Sequence, residues 1–203
     1  MIIFARAPVP GRVKTRLAVE IGARAAARLH ARLVERAVRS AVAARVGSVE
    51  LHCAPHTRHP FFARLAARTG IVLRAQRGGD LGARMHRALE RALREARFAL
   101  LMGSDCPALR SADVRRARRA LRSGTDAVFA PAEDGGYTLV GLSRSSAQLF
   151  SGIAWGGAEV MATTRARLRT LGWSWHELRT VWDVDRPEDY ARLRRSRLLG
   201  RAP

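Results

Sequence analysis

Lysine is almost missing from this chain. Of its 37 basic residues a single one, Lys14, is lysine and the rest are arginine. A compact ammonium kept at one position against that bias marks a place where the planar arginine fork does not substitute. Acids are scarce as well, 17 against those 37 bases, for a formal charge of +20 and a pI near 11.8. Such an excess raises nucleic acid or an acidic surface as partner. Against that, the arginines are spread through every helical segment instead of forming one block, and 6% aromatics leave few stacking platforms. The charge is therefore read as a solvated, arginine-biased surface, with nucleic-acid binding non-specific. The two cysteines, Cys53 and Cys106, are too few and too unpatterned for a disulfide framework or a zinc site. They imply a reducing, cytoplasmic setting. No apolar run approaches the ~18 residues that span a bilayer, and an opening interrupted by Arg6 and Pro8 is not a signal peptide. At 203 residues the expectation is one domain, 1–203.

What is present begins with Phe4 to Leu17, F-A-R-A-P-V-P-G-R-V-K-T-R-L. The apolar residues before it predict a strand over 2–6. Pro8 and Pro10 then withdraw two backbone donors and force an extended loop. Gly11 lets that loop turn. Arg12, Lys14 and Arg16 follow within one short stretch, just where a helix is expected to begin. A strand, a Pro-Gly loop, clustered cations and a helix start together describe a phosphate site.

Beyond this loop the chain alternates β and α patterns, which predicts a three-layer α/β/α sandwich on a mostly parallel sheet. Residues 18–45 predict one long or two broken amphipathic helices, with Leu29, Leu33, Val34, Ala37 and Val38 on the buried stripe. Gly78, Gly79 and Gly82, with Asp80 as N-cap, make a helix entry whose free N–H groups can hold an anion or a base edge. Residues 98–102 form a fully apolar run, the pattern of a central parallel strand. It runs into Gly103-Ser104-Asp105-Cys106-Pro107, which places Asp105 at a strand's carboxyl end, where ligands bind in open α/β sheets. Glu133-Asp134-Gly135-Gly136 is a hairpin signal that breaks the alternation and predicts a late antiparallel pair. A helix is expected over 157–171 and another from Pro187, after Asp183-Val184-Asp185. In so basic a chain, acids at loop positions invite a divalent metal. Residues 200–203 are expected to fray.

These motifs in order, with G-D-L-G-A-R-M, G-S-D-C-P, E-D-G-G-Y-T-L-V-G-L and D-V-D-R-P-E-D after the first, resemble the bacterial DUF2064 family. The resemblance covers nearly the whole chain. It implies a GT-A type fold of the nucleotide-diphospho-sugar transferase superfamily. It also implies a glycosyltransferase that binds a nucleotide-diphospho-sugar and passes the sugar to a small-molecule acceptor. By position it implies a nucleotide contact surface of Ala7, Pro10, Gly11, Arg12, Lys14, Arg16, Gly79, Asp80, Arg84 and Ser104, with Lys14 and Asp105 as catalytic residues. Asp105, Asp185 and Asp183 would hold Mg²⁺ or Mn²⁺. Glu133, Asp134, Gly135, Gly136 and Trp155 would face the acceptor.

The chain departs from the family pattern twice. Gly156-Gly157-Ala158 stands where a Ser/Thr-Asp pair is usual, and S-D-C-P has no second acid of a D-x-D motif. Two other functions therefore stay open: a nucleotidyltransferase that releases pyrophosphate, and a basic nucleic-acid-binding protein. The spacing of G-R-V-K-T excludes a Walker A loop.

Overall fold

In a computed structural model, which describes residues 1–196 and 198–199, a seven-stranded sheet carries helices on both faces. The expected fraying of 200–203 lies outside the described residues. The strands are β1 (Ile2–Arg6), β2 (Glu50–Ala54), β3 (Val72–Ala75), β4 (Ala99–Gly103), β5 (Ala127–Pro131), β6 (Tyr137–Leu142) and β7 (Trp175–Glu177). Their order is β3-β2-β1-β4-β6-β5-β7. The pairs β1–β2, β2–β3, β1–β4 and β5–β7 are parallel. Strand β6 is antiparallel to both its neighbours, β4 and β5.

Side-chain alternation along β1 divides the core. Ile3 and Ala5 point to one face, where α1 (Thr15–Ile21), α2 (Ala23–Ala44), α3 (Pro60–Thr69), α5 (Ser111–Arg122) and α7 (Pro187–Ser196) contribute to the core. Ile2 and Phe4 point to the other, under α4 (Leu81–Glu95) and α6 (Val160–Thr170). This is the period-2 burial expected of a sheet covered on both sides.

Most expected elements form within a residue or two of their predicted ends. The Ala/Arg-rich region is two helices, broken at Gly22. Asp80 caps α4 by accepting from the Ala83 N–H at 2.7 Å. The Asp134 side chain accepts from Gly136 N–H at 2.9 Å, closing the hairpin that the sequence signals. Two expectations need correction. The apolar run of β4 signals burial on both faces, which it has, but one of its partners is antiparallel. The helix expected over 157–171 starts at Val160, because Gly156 and Gly157 disfavour its first turn and Glu159 makes no side-chain cap.

Where α5 crosses the sheet, the packing leaves no room for a side chain on β6. A Cβ on Gly141 would collide with the Leu100 and Val128 side chains on its two neighbours, approaching Val128 Cγ1 to 2.6 Å, with Leu121 of α5 above at 3.1 Å. Gly141→Ala is accordingly expected to destabilise the protein by about 1–3 kcal/mol through overpacking. A thermal-unfolding midpoint equal to wild type would show that the sheet gives way there at no cost.

Candidate active site

Strands β1 and β4 lie side by side in parallel, with Phe4 opposite Gly103, so the loops that leave their carboxyl ends must meet. From β1 the chain runs through the Pro-Gly loop to Lys14, the N-cap of α1, which adopts φ 50° and ψ 44°. That left-handed conformation is uncommon for a residue with a side chain and costs on the order of 1–2 kcal/mol. It directs the Lys14 ammonium inward, 2.8 Å from the Asp105 carboxylate at the end of β4. The lysine side chain is 4% exposed and the aspartate 42%, so the cation lies beneath and the carboxylate faces the opening.

His30 completes the floor. It stands on the buried stripe of α2, with Nε2 3.0 Å from the Arg6 carbonyl and Nδ1 3.4 Å from Asp105 Oδ1. Burial alone would raise the Asp105 carboxyl, but the Lys14 ammonium, seconded by His30, overcomes it and holds the group well below the usual carboxylate range. Gln76 bridges the strand ends from the other side, donating to the carbonyls of His52 at 2.9 Å and Ala5 at 3.2 Å.

The late acids arrive by backbone pairing. Val181 N–H donates to the Pro131 carbonyl, and Val184 N–H to the Asp105 carbonyl at 3.0 Å. Val184 is fully buried, so the alternation of an extended chain turns its two neighbours away from the core on either side of that anchor. Asp185 joins the cleft and pairs with Arg16 at 2.7 Å. Asp183 lines an adjoining cavity with Asp134, Tyr137 and Trp155. Asp183 has no cationic partner among the described residues, and its carboxyl is pushed up to about 6 by burial, aided by Asp134 and Asp105.

The main cleft, about 620 Å³, gathers Arg12, Lys14, Arg16, Arg84, Ser104, Asp105 and Asp185 of the sequence-derived set. The adjoining cavity, about 170 Å³, gathers Asp134, Gly136, Trp155 and Asp183, and Leu81 lines both. The remaining residues stand apart from both linings. Ala7 is buried. Pro10 faces a separate hollow beside His59. Gly11 and Gly79 line neither, Asp80 is engaged as a helix cap, and Gly135 packs on the Ala158 backbone. Glu133 is paired with Arg192 at 2.6 Å. His30 and Gln76 were not anticipated from the sequence, yet they line the cleft, as does Thr15, the hydroxyl of the cation loop. For His30 the signal was there: a lone histidine in an otherwise apolar helical stripe.

The thiols are excluded as nucleophiles. Burial pushes Cys106 up to about 11 and Cys53 up to about 12, so neither is ionised near neutrality.

Among the described residues no three His, Cys, Asp or Glu groups form a ready cluster. Oxygen donors from Asp105 and its neighbours Asp183 and Asp185 suit a hard ion that keeps waters and takes phosphate oxygens, as Mg²⁺ does. Asp183, raised by burial and then by the nearby Asp134 and Asp105, is the group such an ion would relieve. The residues fit.

The chain matches the DUF2064 family, described as an uncharacterized protein conserved in bacteria, over residues 37–157. It belongs to that family. A protein from Desulfovibrio desulfuricans G20, assigned as a nucleotide-diphospho-sugar transferase, is similar in structure with a TM-score of 0.86 at 32% identity. The match covers 97% of this chain and 86% of that one. A CMP:2-keto-3-deoxy-manno-octonic acid synthetase complexed with CTP matches with a TM-score of 0.62 at 13% identity, over 96% of each chain. A cytidylyltransferase from Leptospira borgpetersenii serovar Hardjo-bovis matches at 0.61 and 12% identity, over 99% and 87%. The last two share the fold with this DUF2064 member. Among curated proteins none matches the chain in sequence. No helix among the described residues is long and apolar enough to cross a membrane.

Asp183 makes the site's cost measurable. Its folded pKa is raised, so between about pH 4 and 6 the folded state holds more protons than the unfolded one and stability falls as pH rises. Above that window the full penalty is present, on the order of 1–2 kcal/mol after allowing for partial exposure. Without divalent cation, Asp183→Asn is therefore expected to melt higher than wild type at pH 7.5 and equally at pH 4. An equal midpoint at both pH values would contradict the raised carboxyl.

Proposed function

We propose that this protein is a transferase that holds a nucleotide-diphospho-sugar in the cleft over Lys14 and Asp105 and passes the sugar to a small-molecule acceptor in the adjoining cavity. The observation that carries the reading is the pairing of the buried Lys14 with the half-exposed Asp105 at the joined carboxyl ends of β1 and β4. Around it stand cations that suit phosphate and carboxylates that suit a hard cation. The assignment of the Desulfovibrio relative supports the substrate class.

In this reading Arg12, Lys14 and Arg16 bind the diphosphate, Lys14 as a point charge and the arginines as forks. Asp105 and Asp185, with Asp183 beside them, would hold Mg²⁺ or Mn²⁺, which when bound neutralises charge on the phosphates. The bond from the sugar's anomeric carbon to the phosphate oxygen breaks, and its electron pair leaves on the nucleoside diphosphate. The ammonium of Lys14, preorganised in a water-poor floor, stabilises that charge as it develops. The acceptor's hydroxyl oxygen forms the new bond to the anomeric carbon, and its proton passes to a carboxylate of that cavity, which Asp134 and Asp183 line. Trp155 and Tyr137, in edge-to-face contact with centroids 6.2 Å apart, wall the cavity in which it would sit.

The existing ion pairs make the two ligands interdependent. Lys14 and Arg16 are already neutralised by Asp105 and Asp185. A phosphate that takes the cations releases the carboxylates for the metal, so each ligand should tighten the other.

A second reading, nucleotidyl transfer with release of pyrophosphate, is favoured by one observation. A D-x-D motif would place its second acid at position 107, which is Pro107, and the carbonyl there is taken by Arg36 at 2.7 Å. Products separate the two reactions: free nucleoside diphosphate for the first, pyrophosphate for the second.

Calorimetric titration with a nucleoside diphosphate tests the site itself. Lys14→Ala is expected to weaken binding by about 1.5–3 kcal/mol while remaining folded. In wild type, saturating Mg²⁺ should tighten the nucleotide, and Asp105→Asn should abolish that gain. Unchanged affinity in a folded Lys14→Ala protein would remove the cleft from nucleotide binding.

A further inference from the structure

A second concavity, about 510 Å³, lies between edge strand β3 and helix α4 and shares Arg84 with the main cleft. Its walls carry Arg74, Arg77, Arg84, Arg87, Arg91 and Arg94. On α4 the last four recur at i, i+3, i+7 and i+10, which is one helix face about 15 Å long at 1.5 Å per residue. Met85, Ala88 and Leu89 of the same helix go into the core.

Half of these cations are already answered. Arg74 and Arg91 share the carboxylate of Glu50, which is 12% exposed, and Arg94 reaches Glu90 at 3.9 Å. Arg77, Arg84 and Arg87 have no carboxylate partner among the described residues. Arg84 is held in place by its Nε–H, which donates to the Gly78 carbonyl at 3.1 Å, leaving the rest of its fork free. Arg91 has a buried Nε with no partner in the same wall.

A solvated arginine face is convex and lets its charges diverge. Here they converge on a hollow whose volume is in the range of small-molecule sites. Like charges one turn apart also repel. An anion of matching geometry would remove that repulsion, and the guanidinium fork suits phosphate oxygens two at a time.

We propose that this groove is a second phosphate-binding site, for a ligand carrying a short chain of phosphates, opening into the nucleotide cleft at Arg84. The proposal stands whichever group the cleft transfers. Two sources share the chemistry: phosphates borne by the molecule that occupies the cleft, and a separate polyphosphate.

The test is calorimetric titration of the full-length protein with inorganic tripolyphosphate at about 50 and 200 mM salt. The variants are Arg77→Gln/Arg87→Gln in the groove and, as a control with equal loss of charge, Arg119→Gln/Arg122→Gln on the exposed side of α5. All four positions are exposed, and unfolding midpoints check the folds. The groove variant should weaken tripolyphosphate at least tenfold and the α5 variant less than twofold, while Lys14→Ala keeps the groove's binding. A parallel titration with a nucleoside triphosphate assigns the source. Weakening by the groove variant means the cleft ligand's phosphates extend into it, and no change means a separate polyphosphate. Equal losses in the two double variants, or loss in Lys14→Ala with the groove variant unaffected, would overturn the proposal. So would tight duplex-DNA binding through Arg77 and Arg87 at 200 mM salt without any binding of tripolyphosphate.

Discussion

The ion pair of Lys14 with Asp105 is the constraint around which the cleft is arranged. A buried ammonium is tolerated only with a partner, and the partner here comes from another strand nearly a hundred residues on. The pair therefore ties the loop after β1 to the end of β4. It also offsets the left-handed backbone that Lys14 must adopt to point inward. His30 of α2 and the Val184 N–H add a helix and the late acidic segment to the same spot. Four parts of the chain thus meet at one residue, Asp105.

Several of the few acids are committed to arginines. Glu50 answers Arg74, Arg91 and His52; Asp113 answers Arg179 at 3.0 Å; Glu177 holds Arg165 with two bonds of 2.8 Å. With the carboxylates so committed, a large positive remainder is left, and most of it is solvated on helix faces, where salt screens it. The exceptions are concave. In the cleft, cations and carboxylates alternate within reach of each other. In the groove beside it, arginines converge without enough acids. Curvature, more than net charge, separates the cations proposed to bind phosphate from the solvated ones.

Sheet order accounts for the two linked cavities. Because β6 inserts antiparallel between β4 and β5, its hairpin turn at Asp134 projects beside the carboxyl end of β4. The segment that follows β7 then runs back past Pro131 to Asp105. That return path sets Asp183 toward the hairpin cavity and Asp185 toward the main cleft. One extended dipeptide step thereby supplies a carboxylate to each.

The sequence by itself determined the alternation of elements and the late hairpin, and it singled out three stretches that line the cleft and its adjoining cavity: the loop at Lys14, the end of β4 at Asp105, and the pair at Asp183 and Asp185. These were legible because local rules carry them. Prolines end a strand, Asp-Gly-Gly turns a hairpin, an unbroken apolar run means burial on both faces, and a lone lysine stands out among arginines. Only the tertiary structure decided which of those residues meet. That Lys14 spends its charge on Asp105 depends on β1 and β4 being adjacent, and that His30 joins them depends on the angle at which α2 lies across the sheet. That Pro10, Glu133 and Asp80 turn away from the cleft, and that four arginines of α4 share a face with an edge strand opposite, are likewise facts of orientation. Spacing along a chain fixes periodicity; it carries no information about which partner stands across a gap, and electrostatic energy depends on that gap.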